Sequence, residues 1–170
     1  MHILPIAHLS LLGIGLLCAA ICDLKLRRVP NVVSAFVLTT GIGINWVNHG
    51  LGAALSGLAA AVLAIASLFA LWKARMLGGG DVKLAAAAAS WIGLHHFVWF
   101  ILATAVAGGV VAVIGYLLAG ASTRKEVRAN LLLAGLHGEM PAVPSHRKGH
   151  PSVPYAVAIG AGSAVAIFVA

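Results

Sequence analysis

The chain has 170 residues, of which 61% are hydrophobic and 9% are charged, and its mean hydropathy is +1.03. This composition excludes a soluble domain of the same size and predicts one polytopic membrane domain over residues 1–170. The net charge of +7 comes from Lys and Arg residues in a few short stretches without aromatic residues, so it predicts membrane orientation and excludes nucleic-acid binding.

Three apolar spans are predicted in the first half of the chain. The uncharged residues 3–22 form the first span, and the basic residues that follow it place the N-terminus outside the cell. Residues 31–72 contain no Lys, Arg, Asp or Glu and are long enough for two spans, with a break at residues 45–52. Pro30 and Asn31 begin the second span, because proline is tolerated at the edge of a helix.

Two more spans follow the glycines at residues 78–80. Aromatic residues surround His95 and His96, which predicts a turn at the outer face of the membrane. The fourth span runs from about Asp81 to Leu94 and the fifth covers residues 97–120. Fourteen residues of helix cover only about 20 Å, so Asp81 is expected at or below the cytoplasmic interface.

The polar stretch at residues 121–152 is predicted to be a cytoplasmic loop, with a short amphipathic helix over residues 125–136. A sixth span covers residues 153–170. The fold class is therefore all-α, a polytopic bundle of six transmembrane helices with both termini outside. This topology puts every Lys and Arg on the cytoplasmic side.

Two of the four acidic residues lie at the ends of spans rather than in the polar loop. Asp23 ends the first span and Asp81 begins the fourth, so both are expected at the same cytoplasmic level. Each has an ordinary explanation, Asp81 as a helix N-cap and Asp23 as a solvated neighbour of basic residues. As a pair in a site of low dielectric, however, one would hold a proton while the other accepts one from water. This arrangement predicts aspartic protease chemistry.

Asp81 directly follows Gly78, Gly79 and Gly80. Glycine leaves the backbone free to adopt positive φ and adds no side chain, which predicts room for an extended peptide next to Asp81. Lys83 is expected either to tune the pKa of Asp81 or to bind anionic headgroups, and the sequence leaves both roles open.

Three stretches resemble, in order, the signature regions of type IV prepilin peptidases, which are membrane aspartyl proteases of the GxGD class. They are residues 23–31 (DLKLRRVPN), 78–84 (GGGDVKL) and 154–159 (PYAVAI). The resemblance implies that Asp23 and Asp81 are the catalytic pair. The residues that it implies for the motif or for substrate approach are Gly78, Gly79, Gly80, Lys83, Pro30, Asn31, Pro154 and Tyr155.

Members of this family cut the short basic leader from prepilins or pseudopilins at the cytoplasmic face of the bacterial inner membrane. Larger members also carry an N-terminal methyltransferase region with paired Cys-x-x-Cys motifs, which this sequence lacks. The chain therefore resembles the short, peptidase-only form of tight-adherence (Flp-type) pilus systems. The resemblance implies prepilin-like substrates and membrane lipid as partners and no cofactor, and it leaves the oligomeric state open.

Two other functions are compatible with a pair of aspartates at the ends of apolar spans. One is non-enzymatic, either a proton-coupled transporter with the two aspartates as a relay or an assembly subunit of a secretion apparatus; no convincing internal repeat favours a transporter. The other is a presenilin-like protease, which would need a Pro-Ala-Leu tripeptide that is absent. No metal site is predicted, because His137, His146 and His150 are too irregularly spaced.

Overall fold

The computed structural model describes residues 6–26, 29–74, 77–122, 124–125, 127–129, 132 and 155–169. The helices in these ranges are α1 (Ile6–Leu26), α2 (Asn31–His49), α3 (Leu51–Lys73), α4 (Gly79–Ile92), α5 (Phe97–Leu118) and α6 (Tyr155–Val169). The described residues between 121 and 132 are helical as well, and no strand occurs in the described ranges. The all-α prediction is therefore confirmed.

Three of these helices are long and apolar enough to cross a membrane: α1 over His8–Lys25, α3 and α5. The sixth helix is apolar but has only 15 residues, and α4 has 14. The structure thus supports a helical membrane protein, while the number of six spans stays a prediction. Of the loop predicted at residues 121–152, residues 133–152 lie outside the described part of the chain.

Helix α4 lies at the centre of the bundle and packs against α2, α3 and α6. From Leu84 to Trp91 every side chain is buried. The run Ala85–Ala89 explains this position, because small side chains let neighbouring helices approach closely in a membrane protein. Gly41 of α2 and Gly57 of α3 face α4, and a Cβ atom at either position would overlap with Ser90.

Two buried side chains also link α2 to α4 by hydrogen bonds. Asn45 donates from Nδ2 to the carbonyl oxygen of Ser90 at 2.9 Å, and Trp91 donates from Nε1 to the carbonyl oxygen of Val37 at 2.7 Å. In an apolar environment these polar groups need partners within the protein. The bonds therefore hold the register of α4 against α2.

The turns between α2 and α3 and between α4 and α5 lie at the same end of the bundle. Each contains a glycine with positive φ, Gly50 at 80° and Gly93 at 71°, a conformation that L side chains rarely adopt. The backbone N–H of Leu94 donates to Oγ of Ser56 in the first part of α3, at 3.0 Å. Both turns thus agree with the breaks predicted at residues 45–52 and at His95–His96.

Helix α5 packs mainly against α6 and lies at the side of the bundle. The ring of Tyr155, at the start of α6, fills the space beside Gly108, where an added Cβ atom would lie 2.8 Å from Cε2. Further along, Gly162 of α6 lies against Thr104 of α5. The two helices are therefore antiparallel, and α6 begins level with the middle of α5.

Candidate active site

Asp81 is positioned by the first turn of its own helix. Gly78 is the N-cap residue of α4, so Asp81 is the third helical residue and not the N-cap. An acidic side chain at this position can accept a hydrogen bond from the backbone N–H of the N-cap residue, as in one half of a capping box. The bond with Gly78 favours the charged form of the Asp81 carboxyl.

Asp23 lies in the last turn of α1, where the helix dipole disfavours a negative charge. The first turn of α6 compensates for this, because the backbone N–H of Ala156 donates to Oδ2 of Asp23 at 3.5 Å. The N-terminal end of a helix carries partial positive charge. The contact therefore ties the end of α1 to the start of α6 through the Asp23 side chain.

Asp23 and Asp81 interact electrostatically. The pKa of Asp81 is raised from 3.8 to about 6, first by burial and second by the negative charge of Asp23, against the lowering effect of the Gly78 N–H. Asp81 lies outside the three helices that are long enough to cross a membrane. Asp81 therefore holds a proton at higher pH than an ordinary aspartate does, which suits it to act as a general acid.

Tyr155 is the third group at this site. It is half-buried and interacts electrostatically with Asp81. Because Ala156 also donates a hydrogen bond to Asp23, the start of α6 interacts with both halves of the pair. Pro154, which the resemblance also implied, lies outside the described residues.

The first two of the three sequence stretches that resemble the family are joined at the start of α2 and α4. Lys83 donates from Nζ to Oδ1 of Asn31 at 3.0 Å, and Pro30 is the N-cap residue of α2. A Cβ atom at Gly80 would lie 3.3 Å from Cβ of Val29. The ammonium group of Lys83 therefore binds Asn31 of α2. This partner belongs to neither of the two expected roles of Lys83, which were to tune the pKa of Asp81 or to bind anionic headgroups.

None of the three glycines adopts positive φ, and room for an extended peptide next to Asp81 stays a prediction. Gly78 has φ −71° and ψ 143°, Gly79 and Gly80 are helical, and among the described residues positive φ occurs at Gly50 and Gly93. The absence of side chains does matter, but for a different reason. A Cβ atom at Gly78 would lie 2.8 Å from Oδ2 of Asp81, so the open space belongs to the carboxyl group itself.

Sequence reasoning did not include three contributors to this site. Ala156 acts through its backbone N–H, and no residue type encodes such a role. Trp72, at the end of α3, lies next to Gly79. A Cβ atom built on Gly79 would lie 3.3 Å from Nε1 of Trp72. Gly108 leaves the space that the ring of Tyr155 occupies. In the sequence, a glycine in an apolar helix indicates close helix packing but not which side chain it accommodates.

The described residues contain no group of three His, Cys, Asp or Glu side chains that could hold a metal ion. The chemistry that the site itself offers is proton transfer. A water molecule between Asp23 and Asp81 would meet one carboxylate that accepts a proton and one carboxyl group that supplies one.

Comparison with known proteins adds an independent finding. The model of the type IV leader peptidase family matches residues 10–113, a range that includes Asp23 and Asp81 and ends before α6. No curated protein and no solved structure matches the chain. Since the family match covers more than half of the sequence and both acidic residues of the site, the chain belongs to the type IV leader peptidase family.

Proposed function

We propose that this protein is a membrane aspartyl endopeptidase that removes the short basic leader from prepilin- or pseudopilin-like proteins at the cytoplasmic face of the bacterial inner membrane. Family membership supports a protease. The observation that supports the aspartic type is the raised pKa of Asp81, to which the charge of Asp23 contributes. A buried carboxyl group with a second carboxylate beside it is suited to hold a proton near neutral pH.

In the proposed reaction, Asp23 is the general base and Asp81 the general acid. Asp23 takes a proton from a water molecule, whose oxygen attacks the scissile peptide carbonyl, and Asp81 supplies the proton that the leaving amine needs. The hydrogen bond from Ala156 orients the Asp23 side chain, and burial supports the protonated form of Asp81. No covalent intermediate forms, because water is the nucleophile.

The proposed topology has six spans with both termini outside. It is supported by the two turns at Gly50 and Gly93, which lie together at the end of the bundle away from Asp23 and Asp81. Helices α4 and α6 are about 21 Å and 22 Å long at 1.5 Å per residue, so the bilayer must thin locally for Asp23 and Asp81 to lie at its cytoplasmic interface. Helix α5 continues for ten residues beyond Gly108, the level at which α6 begins.

Substrate capture through long-range charge is not expected, because a basic leader is repelled by a chain with a net charge of +7. We propose instead that the apolar helix of the substrate docks laterally from the membrane, while Asp23 and Asp81 attract the leader locally. The short peptidase-only form, of the kind found in tight-adherence (Flp-type) pilus systems, is the proposed subtype.

Leader removal in cells tests this function. The chain is co-expressed with a prepilin-like substrate, and leader removal is followed for the wild type, Asp23→Asn and Asp81→Asn. Each substitution should lower the rate by at least about 100-fold, because general acid and base groups each contribute roughly 10²–10⁴-fold. The thermal midpoint of each purified variant shows whether the fold is intact.

Glu126→Gln and Glu139→Gln are the matched controls, since they neutralise the two remaining carboxylates of the sequence, both in the polar stretch at residues 121–152. Both controls should process the substrate at the wild-type rate. If either aspartate variant does so as well, the proposed pair is wrong. If the wild type leaves the leader intact in purified proteoliposomes, a transporter or assembly role replaces the proposed peptidase.

A further inference from the structure

The end of the bundle opposite to Asp23 and Asp81 contains a cavity of about 830 Å³. It lies between α1 and α6, with the end of α2, the end of α4 and the α4–α5 turn completing its wall. The lining residue of α1 nearest in sequence to Asp23 is Leu16, seven positions earlier and therefore about 10 Å away along the helix. The cavity is thus separate from the candidate active site.

Most of the cavity wall is apolar. Leu9, Leu12 and Leu16 supply the α1 side, and Ile167 supplies part of the α6 side. Gly13 and Gly160 also line it, and nothing lies within 4 Å of a Cβ atom built on either glycine. These surfaces would exclude water and accept a hydrocarbon chain.

The rim of the cavity carries imidazoles. His49 lies at the end of α2, and His95 and His96 lie in the turn after α4, with their ring centroids 4.8 Å apart. Among the described residues the acidic side chains are those of Asp23 and Asp81, and both lie at the other end of the bundle. An apolar cavity with imidazole donors at its rim, and with no acidic side chain there in the described part of the chain, complements an anionic headgroup attached to a hydrocarbon tail.

We propose that this cavity binds a phospholipid of the outer leaflet, with an acyl chain between α1 and α6 and the phosphate at His95 and His96. The volume agrees with the roughly 300–1,000 Å³ of ordinary small-molecule sites. Since α1 carries Asp23 and α6 carries Ala156, whose N–H binds Asp23, the bound chain fills the gap between two helices that meet at the candidate active site.

Photo-crosslinking of the full-length protein in nanodiscs tests this site. The probe is a phosphatidylglycerol with a diazirine in its acyl chain, and mass spectrometry maps the labelled peptides. Labelling should concentrate on residues 9–16 and 160–168. Gly160→Phe, which places a ring in the cavity, should lower this labelling at least fivefold. Gly109→Phe is the matched control, because its Cβ position is equally open but lies on α5 outside the cavity, and it should label like the wild type.

A second arm identifies the headgroup. A diacylglycerol with the same chains and the same diazirine lacks the phosphate, so it should label the cavity several-fold less than phosphatidylglycerol. His95→Ala/His96→Ala should remove this difference. Equal labelling by both probes would overturn the phosphate assignment. Labelling spread evenly over the outer helix surfaces of the wild type would overturn the site, and this result does not depend on the folding of any variant.

Discussion

The missing side chain of Gly78 makes room for the carboxyl group of Asp81. A methyl group there would lie 2.8 Å from Oδ2, so Gly78→Ala must displace the carboxyl group. We expect leader removal to slow at least about tenfold, because small displacements of reacting groups are costly. Gly79→Ala is the matched comparison, with an expected loss below about threefold, since its neighbour is the exposed Trp72 side chain at 3.3 Å, which can shift. Equal losses in both variants would contradict this explanation.

Protonation of Asp81 should also affect stability. Its pKa is raised in the fold, from 3.8 to about 6, so the folded state binds the proton more tightly than the unfolded chain does. This contribution is fully present below about 3.8 and is lost as the pH rises through about 6. As the pH rises from about 3.8 to about 6, the thermal midpoint of the wild type should therefore decrease relative to that of Asp81→Asn, which has no proton to lose. Parallel pH profiles of the two proteins would show that the shift is absent.

The same proton should shape the rate of the reaction. If Asp81 is the general acid, leader removal should decline as the pH rises above about 6. In infrared spectra of protein with isotope-labelled Asp, a carboxyl group should titrate near this pH in the wild type. Asp23→Asn should move that titration lower, because the neighbouring charge is gone. A titration unchanged by Asp23→Asn would show that the two groups do not interact.

Among the helices, α4 depends on glycines of its neighbours. A Cβ atom at Gly41 of α2 would lie 2.5 Å from Cδ1 of Trp91, whereas one at Gly43 of the same helix meets nothing within 4 Å. Gly41→Ala should therefore cost roughly 1–3 kcal/mol of stability, as overpacking does. Gly43→Ala should leave the thermal midpoint unchanged or raise it slightly, because alanine is the better helix former. Similar midpoints for the two variants would contradict the close packing of α2 on α4.

Helices α4 and α6 share two features at this scale. Both begin near the aspartates, and both are too short for a bilayer core of roughly 30 Å. The start of α4 supplies the Gly78 N–H to Asp81, and the first turn of α6 supplies the Ala156 N–H to Asp23. Hydropathy predicted the short α4, but the contact of α6 with Asp23 joins residues 133 positions apart.

For the whole molecule, the six-span topology predicts which ends are accessible from each side. In a background without Cys18 and Cys22, Asn48→Cys and Leu94→Cys lie in exposed positions at one end of the bundle, and Ala121→Cys is exposed after α5. A membrane-impermeant maleimide should label Asn48→Cys and Leu94→Cys in intact spheroplasts, and Ala121→Cys only after permeabilisation. Labelling of Asn48→Cys and Leu94→Cys from opposite sides would contradict the topology and the Ser56–Leu94 contact.

The sequence by itself determined the membrane character, the helical class and the approximate bounds of most helices, including the breaks at residues 45–52 and at His95 and His96. These properties are local, because they follow from the hydropathy of each segment and from where turns interrupt it. It also indicated Asp23 and Asp81 as a pair, since acidic residues are rare at the ends of apolar spans.

Only the tertiary structure decided how the pair is supported. The Ala156 N–H that binds Asp23, the space at Gly78 that Asp81 uses and the Lys83–Asn31 bond that joins two helix ends all depend on which backbones approach each other. Residue types and their spacing do not predict which backbones come close together, because these distances are set only when the helices pack. For the same reason, the cavity between α1 and α6 exists only in the packed bundle.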